Sequence, residues 1–166
     1  KNPNGRFEIF PQTLDWRLPT PWEGKVRLLR FNIKTGEKYS YEPFSHQRGG
    51  IIAPPLIIAK NKLCIVWDSI NGGIAGISYD NYNFKKNWEI NIRPTMQPVY
   101  FEQSNELVIN HFDDKSDHLI VIDVLRGKIL SKVNLRTPMA NGMFLTPGFN
   151  NDVLYCSTLA ISKVSW

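Results

Sequence analysis

The sequence predicts an all-β protein, a β-propeller-like array of four four-stranded antiparallel meanders with an incomplete last unit. Two observations carry that prediction. Between positions 97 and 140, four short apolar runs (99–101, 107–112, 119–124 and 129–135) alternate with turn residues. Four strands joined by three tight turns make a meander. The same pattern recurs earlier: Asn61, Leu63 and Ile65 precede Asn105, Leu107 and Ile109 by 44 positions, and Ile77, Asp80 and Met96 precede Ile120, Asp123 and Met139 by 43. A four-stranded unit repeating at that period is the sequence form of stacked propeller blades. The blades fall at about 5–43, 53–92, 97–136 and 141–166, within one domain. Such an array leaves an apolar flank and open strand edges. The expectation is therefore an arc of a six- to eight-bladed propeller, with closure as four blades or assembly of two chains as alternatives.

Taken in order, the first blade has strands at 7–10, 14–18, 26–33 and 38–42, with Pro19 and Pro21 ending the second because proline removes a ladder donor. The second blade has a hairpin of 56–59 with 63–67, a turn-rich loop at 68–73, and strands at 74–80 and 88–92. The third follows the runs above. The fourth has strands at 142–145, 153–157 and 159–166 and lacks its outer strand. No segment joins helical periodicity to capping signals, so almost no helix is expected.

Composition narrows the class. With 166 residues the chain is long enough for one real core, and 42% hydrophobic against 21% charged residues is an ordinary globular balance. The longest apolar run, 51–59, is too short to span a bilayer and holds two prolines, so no membrane insertion is expected. Position 1 is Lys and no signal-like segment follows, which reads as a processed chain or a piece of a longer one. Cys64 and Cys156 have neither metal spacing nor a disulfide framework and read as buried thiols. The net charge of +5 comes from scattered lysines and arginines without a basic run, which argues against a nucleic-acid partner.

The turn between third and fourth strands carries a shared signature. The third unit has Asp123-x-x-x-Gly127-Lys128, the first has Asn32-x-x-x-Gly36-Glu37-Lys38 with Tyr41 after it, and the second has Asp80 followed by Trp88. This resembles the repeat of the quinoprotein-like (PQQ-like) β-propellers, in which an aspartate, a Thr-Gly-Lys turn and a tryptophan dock each blade to its neighbour. The resemblance covers most of the chain and implies a periplasmic or secreted setting. The family includes quinone-dependent dehydrogenases and non-catalytic scaffolds. The dehydrogenases' adjacent cysteine pair has no counterpart here, and no cofactor is expected.

Three clusters suggest chemistry. His111, Asp113, Asp114, Asp117 and His118 have the residue types of a divalent-metal site. They bridge two strands, however, where Asp and Ser are ordinary turn formers. The expectation is a solvated turn and no metal. The strand-four exits carry Arg48, Arg93 and Arg136, 45 and 43 positions apart, with His46 beside the first. Repeat symmetry would gather them at the channel mouth, where planar guanidinium forks suit a small anion. A carboxylate such as Glu23 or Asp68 from a two–three loop would instead make them structural. The opposite end carries Lys34, Lys38, Lys60, Lys62, Lys85, Lys86, Arg126 and Lys128 and should be basic. Trp16, Trp67 and Trp88 read as blade-packing core.

The expected function is a binding or scaffold module that recognises a small anionic ligand or a protein partner through loops at one end. Self-association through open blade edges is expected if the chain is complete. The alternative is a channel-mouth enzyme, either a metal-dependent hydrolase of lactonase type or a quinone-dependent oxidoreductase.

Overall fold

The computed structural model describes residues 25–46, 49–50, 54–80, 83–135, 142–157 and 160–166. Four antiparallel sheets follow one another along the chain. Strands β1 (Leu28–Phe31) and β2 (Lys38–Tyr41) form the first. The second is the meander β3 (Leu56–Ile58), β4 (Leu63–Trp67), β5 (Ile74–Tyr79) and β6 (Phe84–Ile90). The third is β7 (Val99–Phe101), β8 (Glu106–Phe112), β9 (Asp117–Asp123) and β10 (Lys128–Asn134). The fourth is β11 (Gly142–Pro147), β12 (Asp152–Ser157) and β13 (Ile161–Ser165). The only helical turn among the described residues is a single 3-10 turn at Ala59–Asn61. The expected strands at 7–10 and 14–18, with Trp16, lie outside the described residues.

Several strand ends shift from the sequence expectation, mostly by a residue or two, and two of the starts, those of β6 and β9, have a physical reason. Strand β6 begins at Phe84 rather than 88, because a lysine-bearing outer strand needs only one face against protein. Strand β9 begins at Asp117 rather than 119, because Asp113 closes the preceding turn by itself: its Oδ1 accepts from the N–H groups of Lys115 and Ser116 at 3.0 and 2.9 Å. Asp117 and His118 are therefore strand residues, and both are buried.

The middle strands explain the stacking. Every residue of β4 is buried, as are most of β5, β8 and β9, so these runs are largely apolar on both faces. Period-two alternation divides them between two cores. Leu63, Ile65 and Trp67 of β4 meet Leu107, Ile109, Ile120 and Ile122 of the third sheet. Cys64 and Val66, on the other face, meet Val26, Leu28 and Phe44. Val108, Leu119 and Val121 likewise pack on Leu145, Val153 and Tyr155 of the fourth sheet. Each sheet thus covers the next. Cys64 and Cys156 are buried and unbridged, as the sequence predicts.

Turns lock the stack. Asn32 Oδ1 accepts from the N–H groups of Lys34 and Thr35 at 3.0 and 3.3 Å, and Gly36 N–H donates to Asn32 O at 2.8 Å. Asp123 repeats this with Leu125, Arg126 and Gly127 at 3.0, 3.1 and 2.8 Å. Above the second of these turns lies Trp88, whose indole N–H donates to Val124 O at 2.9 Å. A Cβ at Gly127 would stand 2.3 Å from the ring, and one at Gly76 also 2.3 Å. The indole is held between a glycine of its own sheet and a glycine of the next. Arg30 makes a parallel link, donating to Asp80 O in the second sheet's corresponding turn.

A second recurring position precedes the second strand of the second, third and fourth sheets. Lys62, Asn105 and Asn151 all adopt left-handed backbone, with φ of 48°, 56° and 46°. Asparagine tolerates that region well and lysine does not.

The glycine clamp is testable. Gly36 and Gly127 share positive φ (76° and 65°), but a Cβ at Gly36 meets nothing within 4 Å. Gly36→Ala is expected to cost about 1 kcal/mol, the left-handed penalty alone. Gly127→Ala is expected to cost about 1–3 kcal/mol more, because the tryptophan must move. Urea unfolding measures both, and equal costs would show that the indole is not clamped.

Candidate functional site

Strand-four exits and two–three loops meet at one end of the stack. Gly73 N–H donates to Ile92 O at 2.6 Å, Phe112 N–H to Arg93 O at 3.1 Å, and Ser69 N–H to Gly50 O at 2.7 Å. The first bond ties an exit to its own sheet's loop, the other two thread the exits of the first and second sheets past the loop of the following sheet, and the side-chain pairs follow those two. His46 Nδ1–H donates to Asp68 Oδ2 at 3.1 Å, and Phe44 stacks on its ring. The Arg93 guanidinium donates to Asp114 and lies 5.2 Å over the Phe112 ring.

Asp68 is fully buried and well satisfied. Oδ1 accepts from Gly50, Ile70 and Asn71 N–H groups at 3.2, 2.9 and 3.1 Å, and Oδ2 accepts from the Asn71 amide at 2.9 Å. Burial pushes this carboxyl up, but the Asn71 side chain and the three backbone N–H groups outweigh burial and hold it below its ordinary value.

The anion-mouth residues are thus distributed as follows. Arg93 takes its counter-charge from Asp114, while Asp68 serves His46. Arg48, Arg136 and Glu23 lie outside the described residues.

The five metal-type residues divide between the two faces of the third sheet. His111 and His118 face each other across β8 and β9, their rings stacked at 5.9 Å. His118 Nε2–H donates to Asp113 Oδ2 at 2.8 Å. That bond, with those from Ser116 and Lys115, holds the Asp113 carboxyl well below the usual range. His111 Nδ1 accepts from Arg93 N–H at 2.9 Å; burial, then the charges of Lys132 and His118, push its pKa down. Asp114 is exposed and pairs with the half-buried Arg93. Asp117 points the opposite way, into the interface with the fourth sheet.

There it corrects the expectation of a solvated turn. Tyr155 O–H donates to Asp117 Oδ2 at 2.6 Å, and the Asn110 amide donates to Oδ1 at 3.0 Å. Asn110 Oδ1 in turn accepts from Thr95 and Met96 N–H groups at 2.9 and 3.0 Å. A polar network thus crosses an otherwise apolar core. Its one sequence signal is that Asn110 and Asp117 interrupt apolar runs in phase with Val108 and Leu119. Among the described residues, no group of three or more His, Cys, Asp or Glu side chains is arranged to hold a metal ion.

The other end, formed by strand one–two and three–four turns, is different. A cavity of about 590 Å³ opens there between the first and second sheets. Leu28, Phe31, Ile57 and Phe84 supply apolar wall, Cys64 lies in the lining, and Arg30 and Lys62 bring two cations. Burial pushes the Cys64 thiol up to about 11. Of the basic residues at this end, Lys86 is paired with Glu89 and Arg126 with Asp123. Nothing in the sequence marked the cavity, since its walls come from five strands.

No protein-family model matches the chain, and neither does any curated protein sequence.

Acid titration checks the buried aspartate. A carboxyl lowered in the folded state adds stability above its unfolded value of about 3.9, and that stability is lost as pH falls through the folded value. Asp68→Asn is expected to lower stability by about 3–5 kcal/mol at pH 7. It should also flatten part of the decline in urea midpoint between pH 5 and acid; Asp113, Asp123 and Glu42, also lowered, keep the remainder. An unchanged slope would remove Asp68 from the account.

Proposed function

We propose that the chain is a non-catalytic binding module of quinoprotein-like propeller repeats that takes a small anionic ligand at one end of its sheet array. The docking of Trp88 over the Asp123–Gly127 turn supports the repeat assignment, because it joins the residue types that carry the resemblance. The single observation behind the binding assignment is the cavity between the first two sheets, whose volume falls in the range of small-molecule sites.

Charge decides which end binds. At the exit end His46 and Arg93 already have carboxylate partners, so an anion must displace Asp68 or Asp114 to reach them. Asp68 is buried and multiply bonded, which makes that displacement costly. At the turn end Lys62 lines the cavity with no ion-pair partner among the described residues. Asp80, the acid there, accepts from Asn83 N–H at 2.6 Å within its own turn. An anion entering this cavity displaces no carboxylate from Lys62.

A panel of organic anions tests the assignment by calorimetric titration. Binding to the wild-type chain is expected to weaken about tenfold in Lys62→Asn, the effect of removing one charge-assisted bond of about 1.5–3 kcal/mol. Arg93→Lys should bind as wild type does. The reverse pattern would move the site to the exit end.

A further inference from the structure

We infer that the ligand of this cavity is an amphipathic organic monoanion, an elongated or aryl apolar body carrying a single carboxylate or sulfonate. This rests on the anionic-ligand reading above and names the chemistry of the same site. Three observations converge on it.

The first is the walls. Leu29, Phe31 and Ile57 are each more than half exposed, and all three line this one cavity together with Phe84. Large apolar side chains gathered around a concavity mark a binding site for apolar matter. The buried Cys64 thiol, neutral at physiological pH, adds no charge to the lining. A small hydrophilic polyanion would lose hydration against such walls and recover little of it.

The second is the number of cations. Arg30 donates to Asp80 O, so its guanidinium is already tied to the second sheet. That leaves the Lys62 ammonium as the group available to a ligand headgroup. A strongly hydrated point charge at the rim of an apolar pocket suits one anionic headgroup held at the water boundary.

The third comes from comparing the repeats with one another. The left-handed position before the second strand is Asn in the third and fourth sheets and Lys in the second. Lys62 holds φ of 48° and closes the 3-10 turn with its N–H on Ala59 O at 3.0 Å. The turn itself gains nothing from lysine there, since asparagine fits the conformation better. The unit that departs from asparagine is the unit with the cavity. Strain kept at one repeat and not at its equivalents points to a role for that side chain.

Three probes distinguish the outcomes: decanoate below its micelle concentration, 1-anilinonaphthalene-8-sulfonate, and inorganic phosphate or citrate as hydrophilic controls. The wild-type chain should bind the fluorescent sulfonate at one per chain and release it to decanoate. Lys62→Asn should weaken both at least tenfold at low salt while the urea midpoint stays level or rises, because asparagine relieves the turn. Ile57→Glu, a change at an exposed wall position, should abolish decanoate binding. Equal binding by wild type and Lys62→Asn would overturn the inference. If phosphate or citrate binds in a Lys62-dependent way and decanoate does not, the amphipathic class falls while the anion-binding reading stands. If none of the probes binds, both fall. Binding only to anionic lipid vesicles would assign the cavity to a membrane surface and overturn the free-ligand class.

Discussion

The stack depends on strands that are apolar on both faces. In an isolated sheet, Leu63, Ile65 and Trp67 of β4 would leave one side exposed whatever covered Cys64 and Val66 on the other. Only a neighbour on each side removes both from water. Strand β8 imposes the same demand through Leu107 and Ile109 on one face and Val108 on the other. Covering each sheet with the next in the chain meets that demand with short connections. The outer strands β6 and β10 carry Lys85, Lys86, Lys128 and Lys132, which keeps the edges wet and discourages further pairing.

Apolar faces alone would let sheets slide, and polar contacts fix their register. The Trp88 indole has a single donor, which meets Val124 O, and two glycines admit the ring there. Tyr155 reaches Asp117 across the third interface, where a shifted fourth sheet would leave a buried carboxylate short of a donor. Asp68 plays the corresponding part in the loop facing the first sheet, accepting from Gly50 and His46 of the connection that crosses it. Each interface thus combines a broad hydrophobic area with one polar contact that tolerates little displacement.

The two ends of the array differ for the same reason. At the exit end, chain connections run past the next sheet's loops and bring carboxylates against imidazole and guanidinium groups, so charge is neutralised locally. At the turn end no connection crosses between sheets. The turns there are linked only by side chains such as Trp88 and Arg30, Lys62 has no carboxylate partner among the described residues, and the gap between first and second sheets stays open as a cavity. The asymmetry follows from meander topology and supports the binding assignment.

The sequence by itself determined the repeat. Hydrophobic alternation and the 43- to 44-residue spacing located the strands from β1 to β13, and the Asn32 and Asp123 turns were readable because an Asx residue four positions before a glycine closes the same turn wherever it occurs. It also marked Trp67 and Trp88 as packing residues. Tertiary structure decided the rest. Periodicity along one strand says which residues share a face, but not which sheet will cover it. That is why Asp117, one residue from His118, could be assigned to a turn with it and yet belong to a different interface. Partner choice was hidden for the same reason: Arg93 pairs with Asp114 and His46 with Asp68 because the following loop folds back past each exit, a proximity made by topology and not by sequence distance. The cavity was least legible of all, since five strands each contribute a part of its wall and no short stretch of chain contains it.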